Sequence, residues 1–505
     1  MAAHQNGPLA EHQNGHLAAH QNGPLAEHQN GPLAEHQNGH SMKKKIAVIG
    51  AGMTGLCTLR HFALDPDYDV VAFERMDTIA GVWNYPEGCE KYTDEPDTST
   101  RYCRTYRNLR TNSPRDLTRY PDFPFPKEVT ESYCNRATVR KYFDAYTEHF
   151  GLLPFIRFRH KVEQITPVGK AGGDDAPTKW QVTVRDLESG TVTTNEFDNV
   201  IVCSGHFHTP YLPKIEGIEK FKGTVMHSCE YRVPEAFQDK NVLIIGAKTS
   251  AMDITTEIVP FARQVIVYRR FKVSIFEAKF PNVSEIADLV DFGADHLVQK
   301  DGTVRPIDAV ILCTGYIFDY PFLSPECHVT VSRGRVAPLW RHLIHCEFPT
   351  LAFVGLANMA IFIQVADAQV RFYKAVTDGR VTLPNENIMR DETEAEFQGR
   401  LKQGIPEHLA HEMITSQWDY VAELAQEAGF EPFPPVARKM FEANGRSIRA
   451  APYEFRNYRM ERLDAENFVR EPLNPTGKAN GIVVSQEQLD KLDKETLAGR
   501  RNIAN

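Results

Sequence analysis

The chain has nine cysteines but no Cys-x-x-Cys spacing among its 505 residues. That spacing offers neither a zinc site nor a redox dithiol, and the odd count reads as reduced thiols in a reducing compartment. Positive charge is short: 57 Lys and Arg against 66 Asp and Glu leave a net charge of −9, which argues against a nucleic-acid surface. No apolar run reaches the roughly 18 residues that span a bilayer. The segment Ser485 to Asn505 is polar and charged, so no membrane anchor is expected. A cytoplasmic or otherwise soluble location follows, with secretion as the alternative had a signal peptide preceded Met42. The first 41 residues lack large apolar side chains beyond single leucines. Instead His-Gln-Asn-Gly returns at positions 4, 12, 20, 28 and 36. A solenoid needs an apolar face in each repeat, so residues 1–41 read as a histidine-rich affinity tag without structure.

What the chain does have is two nucleotide-binding turns. The first, Gly50-Ala-Gly52-Met-Thr54-Gly55, directly follows the apolar run Ile46 to Ile49, and Glu74 closes the next apolar run, Val70 to Phe73. The second, Gly246-Ala-Lys248-Thr249-Ser250-Ala251, follows Val242 to Ile245, and Arg269 closes Val265 to Tyr268. The spacings nearly match, 24 residues from Gly50 to Glu74 and 23 from Gly246 to Arg269. In a βαβ unit that position meets the 2′ position of a ribose. A carboxylate accepts from a free 2′-hydroxyl, and a guanidinium pairs with a 2′-phosphate. The first site should therefore hold FAD and the second NADPH, with Arg270 assisting Arg269. The glycines let backbone approach a pyrophosphate at a positive helix end. Lys248 stands where a middle glycine is expected, so it needs a backbone conformation that a side chain tolerates, or a shifted phosphate.

Strands alternate with helices along the chain, which argues for parallel sheets. The spacing predicts a helix from Met53 to Leu64 and another over Ala137 to His149. It predicts a β-ribbon over Lys179–Val184 and Thr191–Phe197, and strands at Val200–Cys203, Ala309–Cys313 and Thr350–Leu356. Thr93 to Pro126 should be irregular. The fold class expected is α/β, with two Rossmann-like dinucleotide-binding domains, the NADPH domain inserted in the FAD domain. Residues 42–209 form the first part of the FAD domain and 210–316 the NADPH domain. Residues 317–470 complete the FAD domain with C-terminal helices, and 471–505 are a polar tail.

Between the turns, Phe221-Lys-Gly223-Thr-Val-Met-His227-Ser-Cys-Glu-Tyr231 fits F-x-G-x-x-x-H-x-x-x-[YFW], the signature of class B flavoprotein monooxygenases. Gly81-Val82-Trp83, Leu109-Arg-Thr111-Asn112, Cys203-Ser-Gly205-His, Leu312-Cys-Thr314-Gly315-Tyr316 and Pro321-Phe-Leu323 support it. From residue 44 to about 460 the chain resembles the flavin-containing monooxygenases, most of all insect alkaloid N-oxygenases and soluble bacterial trimethylamine monooxygenases. The resemblance implies that Val82 and Trp83 pack on or near the isoalloxazine. It places Asn112 over the flavin beside the nicotinamide amide, as the catalytic residue. It adds Thr111, Val162, Gly205, Thr314, Gly315 and Gln364 to the cofactor contacts, and puts Gln364 and Asp367 where the site closes from the C-terminal side. His227 and Tyr231 serve the interdomain and NADPH side, not acid–base chemistry, and for His227 a purely structural role is as good a reading.

The implied reaction is NADPH- and O2-dependent oxygenation of a soft nucleophile, foremost a tertiary amine and otherwise a sulfide, through a C4a-hydroperoxyflavin. Such a step needs no catalytic triad or carboxylate pair, and none stands out. Baeyer–Villiger oxygenation, peroxide-producing NADPH oxidation and non-catalytic flavin binding are the alternatives. Baeyer–Villiger enzymes usually end the signature in Trp, so Tyr231 favours heteroatom oxygenation. Disulfide reductases need paired cysteines on the first helix, where Cys57 stands alone. A homo-oligomer without metal is expected.

Overall fold

The structure, a computed structural model, describes residues 43–89, 103–169, 178–246, 248–269, 279–332 and 334–473. The repeat in residues 1–41, Arg270 and the tail beyond residue 473 lie outside the described residues.

Two sheets organise the chain, the second all parallel and the first parallel except at one edge, where Leu339–Trp340, Ile344–His345 and Leu351–Phe353 pair antiparallel. The first has seven strands in the order Leu339–Trp340, Ile344–His345, Leu351–Phe353, Asn199–Val202, Lys44–Ile49, Tyr68–Phe73 and Ile156–Arg157. Its central pairs are parallel, with Ile46 opposite Val70 and Asn199. The second has five parallel strands in the order Val283–Ile286, Gln264–Tyr268, Asn241–Ile245, Ala309–Leu312 and Thr224–His227. In each sheet the strand before a glycine turn is flanked by the strand after its helix and by one from much later in the chain. A ligand site in an open parallel sheet belongs at such a crossover, at the carboxyl ends of the strands. Both glycine turns lie there.

Strand alternation sorts the first sheet's side chains into two cores. Ile46, Val48, Ala72 and Ile201 pack against Leu56, Leu59 and Phe62 of the first-turn helix, Met53–Phe62, and against Ala366, Val370 and Tyr373 of helix Phe362–Thr377. Ala47, Ile49, Val200 and Val202 face the other way, onto Trp180, Val182 and Val184. Those belong to an antiparallel sheet of His160–Val168, Lys179–Asp186 and Val192–Phe197. The expected ribbon is thus the second and third strands of a three-stranded sheet. Its first strand holds Val162, buried opposite Val184 at a register shift.

The first-turn helix ends at Phe62, two residues before the expected Leu64, because Ala63 already serves as its cap ahead of Asp65-Pro66. The described part of the expected irregular stretch, 103–126, has only one helical turn, Arg115–Leu117, and two isolated bridges. Its arginines and aromatics bond to carbonyls and side chains of other segments. Helix Pro435–Ala450 and the hairpin Tyr458–Arg462 with Phe468–Pro472 close the C-terminal part. Among the described residues no helix is long and apolar enough to cross a membrane.

Candidate active site

At the first turn, Gly50 has φ +102°, and a Cβ there would meet the Cys203 carbonyl oxygen at 2.8 Å. A Cβ on Gly55 would meet the Gly50 oxygen at 2.0 Å, so helix and strand approach as closely as two backbones can. Gly52 differs: its φ is −74°, and a Cβ would touch only Gly81 at 3.7 Å. Its bareness therefore serves something outside the chain. No side chain caps the helix that starts at Met53, which leaves its first N–H groups for an anion. Thr54 is buried with its hydroxyl on the Cys203 carbonyl at 3.3 Å. Glu74 is buried; one carboxylate oxygen accepts from Ala51 N–H at 2.8 Å and the other from Met76 N–H at 2.9 Å. The acid braces the glycine turn and keeps lone pairs for a ribose hydroxyl. Burial raises its pKa against those two bonds.

The turn Gly81–Trp83 lies on this loop, with Gly81 against Gly52. Trp83 Nε1, Thr111 Oγ1 and Ser204 Oγ are buried without a hydrogen-bond partner. A buried donor left unmade costs about 1–3 kcal/mol. These groups and the uncapped helix fit a polar, phosphate-bearing ligand such as FAD. Gly205, with φ +72°, follows the strand Asn199–Val202.

The second turn repeats the first. Gly246 has φ +135°, and a Cβ there would meet the Cys313 carbonyl oxygen at 2.3 Å. Lys248 caps helix Thr249–Ile258 at φ −90°, ψ −170°, beside −74° and −170° for Gly52. That extended backbone suits any residue, which removes the conformational objection to lysine. Lys248 and Ser250 are exposed and Thr249 half-buried. Cys313-Thr314-Gly315 occupies the place of Cys203-Ser204-Gly205, with the Thr314 hydroxyl on the Tyr211 carbonyl at 2.5 Å. Arg269 is buried, and its guanidinium meets Glu285 of the next strand at 3.5 Å. A 2′-phosphate would share Arg269 with that carboxylate. Burial lowers the Arg269 pKa while Glu285 opposes the shift.

The signature residues are structural in their bonding. His227 Nε2 donates to the Gly315 carbonyl at 3.0 Å, and Nδ1 accepts from Cys229 N–H at 3.1 Å. Burial brings its pKa down to about 4. Tyr231 donates to Glu257 at 2.8 Å and meets Tyr106 edge-on. Burial pushes Glu257 up to about 7.

Asn112 is exposed at the end of the 103–112 stretch. Arg456, which spacing did not reveal, grips it: the guanidinium donates to Asn112 Oδ1, to the Thr111 carbonyl at 3.1 Å, and to both carboxylate oxygens of Asp253 at 2.9 Å. Asp253 sits on the second-turn helix and also accepts from Tyr106 at 2.7 Å. Asn444 of helix Pro435–Ala450 donates to the Asn112 carbonyl at 2.9 Å. One ion pair thus joins the asparagine, the C-terminal part and the second nucleotide turn. No motif encodes Arg456 or Asn444; an arginine in a three-residue turn has no periodicity to betray it. Gln364 is buried and donates to the Asp116 carbonyl at 3.0 Å. Asp367 lies away from this cluster, with His61 Nε2 at 2.8 Å and Arg371 at 2.8 Å, bracing helix Phe362–Thr377 on the first-turn helix.

The family model for flavin-binding monooxygenase-like proteins matches residues 43–281 and 281–437. Flavin-containing monooxygenase FMO GS-OX-like 4 of Arabidopsis thaliana is 31% identical over 428 residues, 82% of this chain and 93% of the relative. FMO GS-OX4 of the same plant is 33% identical over 404 residues, 76% and 84% of the two chains. Among solved structures, S-allyl-L-cysteine S-oxygenase from Allium sativum superposes with a TM-score of 0.74 at 27% identity, over 91% of this chain and 99% of its own. Tmm from Pelagibacter superposes with a TM-score of 0.73 at 24% identity, over 88% and 100%, and this likeness is one of fold.

Proposed function

The chain belongs to the flavin-binding monooxygenase-like family, and on that footing we propose that it oxygenates an uncharged, soft heteroatom, foremost the nitrogen of a tertiary amine. Membership makes it an NADPH-dependent monooxygenase with FAD and NADPH as cofactors. The NADPH-binding part is 210–316, set within an FAD-binding part of 42–209 and 317–470.

The observation that carries the substrate class is the cluster at Asn112. A neutral amide stands beside a guanidinium whose charge Asp253 already compensates with two bonds. No acid or base in that cluster is uncommitted to a partner. Transfer of oxygen to a lone pair asks for access and dryness rather than a proton at the substrate.

Bound FAD supplies hydride acceptance and oxygen activation. The chain does the rest. Gly50, Gly52, Thr54 and Gly55 present backbone to the FAD pyrophosphate, and Glu74 takes the ribose. Val82, Trp83, Thr111, Val162 and Gly205 shape the flavin side. Gly246, Lys248, Thr249, Ser250, Thr314 and Gly315 receive NADPH, with Arg269 and Arg270 on its 2′-phosphate. Asn112 donates to and accepts from the reacting groups without carrying charge, and Gln364 closes the rim.

A sulfide is the second reading, favoured by the 27% identity to an S-oxygenase. The deciding experiment incubates enzyme and NADPH with a tertiary amine, a dialkyl sulfide and a cyclic ketone across pH. N-oxide should dominate and rise with pH as the amine loses its proton. Sulfoxide alone, at a rate indifferent to substrate protonation, selects the second reading. Lactone alone overturns both.

A further inference from the structure

Cys89 and Cys103 stand 14 residues apart, a spacing no motif flags, yet their sulfurs lie 4.0 Å apart and both side chains are buried. Among the described residues no other two sulfurs are in hydrogen-bond contact. Cys89 ends the stretch that begins at Gly81–Trp83, and the Cys103 sulfur faces the carbonyls of Asn84 at 3.8 Å and Thr105 at 3.5 Å. Arg232, next to the signature Tyr231, donates to the Cys103 carbonyl at 2.9 Å, and Arg104 follows in the chain. The pair therefore joins the two stretches that carry Trp83 and Asn112.

We propose that Cys89 and Cys103 form a redox dithiol that hydrogen peroxide closes into an intrachain disulfide. The Cys103 thiolate attacks one peroxide oxygen; an S–O bond forms, the O–O bond breaks, and hydroxide leaves and is protonated to water. The sulfur of Cys89 then attacks that of Cys103; the S–S bond forms, the S–O bond breaks, and a second water leaves with the Cys89 proton. Two thiols give two electrons and two protons to one peroxide, which becomes two waters. The sulfurs must approach by about 2 Å to reach disulfide length. The order of attack follows from the surroundings: the contact with Cys89 and the positive charge of Arg232 and Arg104 hold the Cys103 thiol below its usual range. The product ties the Trp83 turn to the stretch running to Asn112.

The test exposes the FAD-loaded full-length enzyme to hydrogen peroxide, unfolds it in alkylating reagent and digests it with trypsin without reduction. Lys91 and Arg101 place the two cysteines on separate peptides. The expected result is a Cys89–Cys103 linked peptide that becomes the main form and vanishes on treatment with a dithiol. In Cys89→Ser, a sulfenic-acid trap should label Cys103. Full alkylation of both cysteines after other side chains have oxidised overturns the proposal, as does a linked peptide pairing either with a third cysteine. The wild-type map decides alone if the variant does not fold.

Discussion

Asn112 derives its position from Arg456, and Arg456 from Asp253. A guanidinium that donates to both oxygens of a buried carboxylate has a fixed plane, so its remaining N–H groups point at Asn112 and the Thr111 carbonyl in one geometry. Asn112→Ala should leave FAD bound but lower the ratio of oxygenated product to NADPH consumed and raise hydrogen peroxide release. The lost bond is worth about 0.5–1.5 kcal/mol. Arg456→Lys keeps the charge and loses the fork, so it should shift the same ratio in the same direction with less effect; measured product, peroxide and NADPH together check both. Unchanged ratios would make Asn112 a turn residue only. At the second site, Arg269→Ala should raise the Michaelis constant for NADPH by roughly ten- to a hundredfold, from a charge-assisted bond of about 1.5–3 kcal/mol, and leave that for NADH nearly unchanged. Equal losses with both would show that Arg269 serves Glu285 alone.

At the scale of elements, the two glycine turns separate what the chain needs from what a ligand needs. Gly50 and Gly55 answer to backbone within the protein, and Gly52 answers to nothing in it. Gly52→Val should therefore fold with near-native thermal stability and lose FAD, seen as loss of the yellow flavin absorbance on purification. Gly55→Ala should impair folding itself, because the Gly50 oxygen has nowhere to go. These strand–turn–helix units were legible in the sequence because apolar runs, glycines and the closing Glu74 and Arg269 are local signals. The Lys248 departure was legible too, and its harmlessness was not: that depends on a backbone angle. The first strand of the antiparallel sheet, His160–Val168, escaped notice, since polar residues interrupt its alternation. Arg456, Asn444 and the Cys89–Cys103 contact escaped because each is made by residues distant in sequence or unremarkable in spacing.

At the scale of the whole molecule, burial of histidines sets a direction for acid stability. His206, His227 and His345 each have a pKa brought down to about 4 by burial, from 6.5. The folded chain then binds fewer protons than the unfolded chain between those values, so stability falls as pH drops from 6.5 towards 4. Each histidine contributes on the order of 1–3 kcal/mol. Denaturant titrations across that window should show the loss, and His227→Gln should reduce it. The α/β class and the pairing of an FAD with an NADPH site could be read from the chain, because two turns with opposite closing charges recur at matching spacing. The identity of the oxygenated atom could not, since the residues around Asn112 come from stretches near positions 106, 253, 444 and 456 that only folding brings together. The measurement that tests the account most directly is turnover with NADPH and a tertiary amine under heavy oxygen gas, read by mass spectrometry. One labelled oxygen atom on the substrate nitrogen per NADPH consumed is the predicted result. Oxidised NADPH with all of the label in hydrogen peroxide, whatever amine or sulfide is offered, would contradict it.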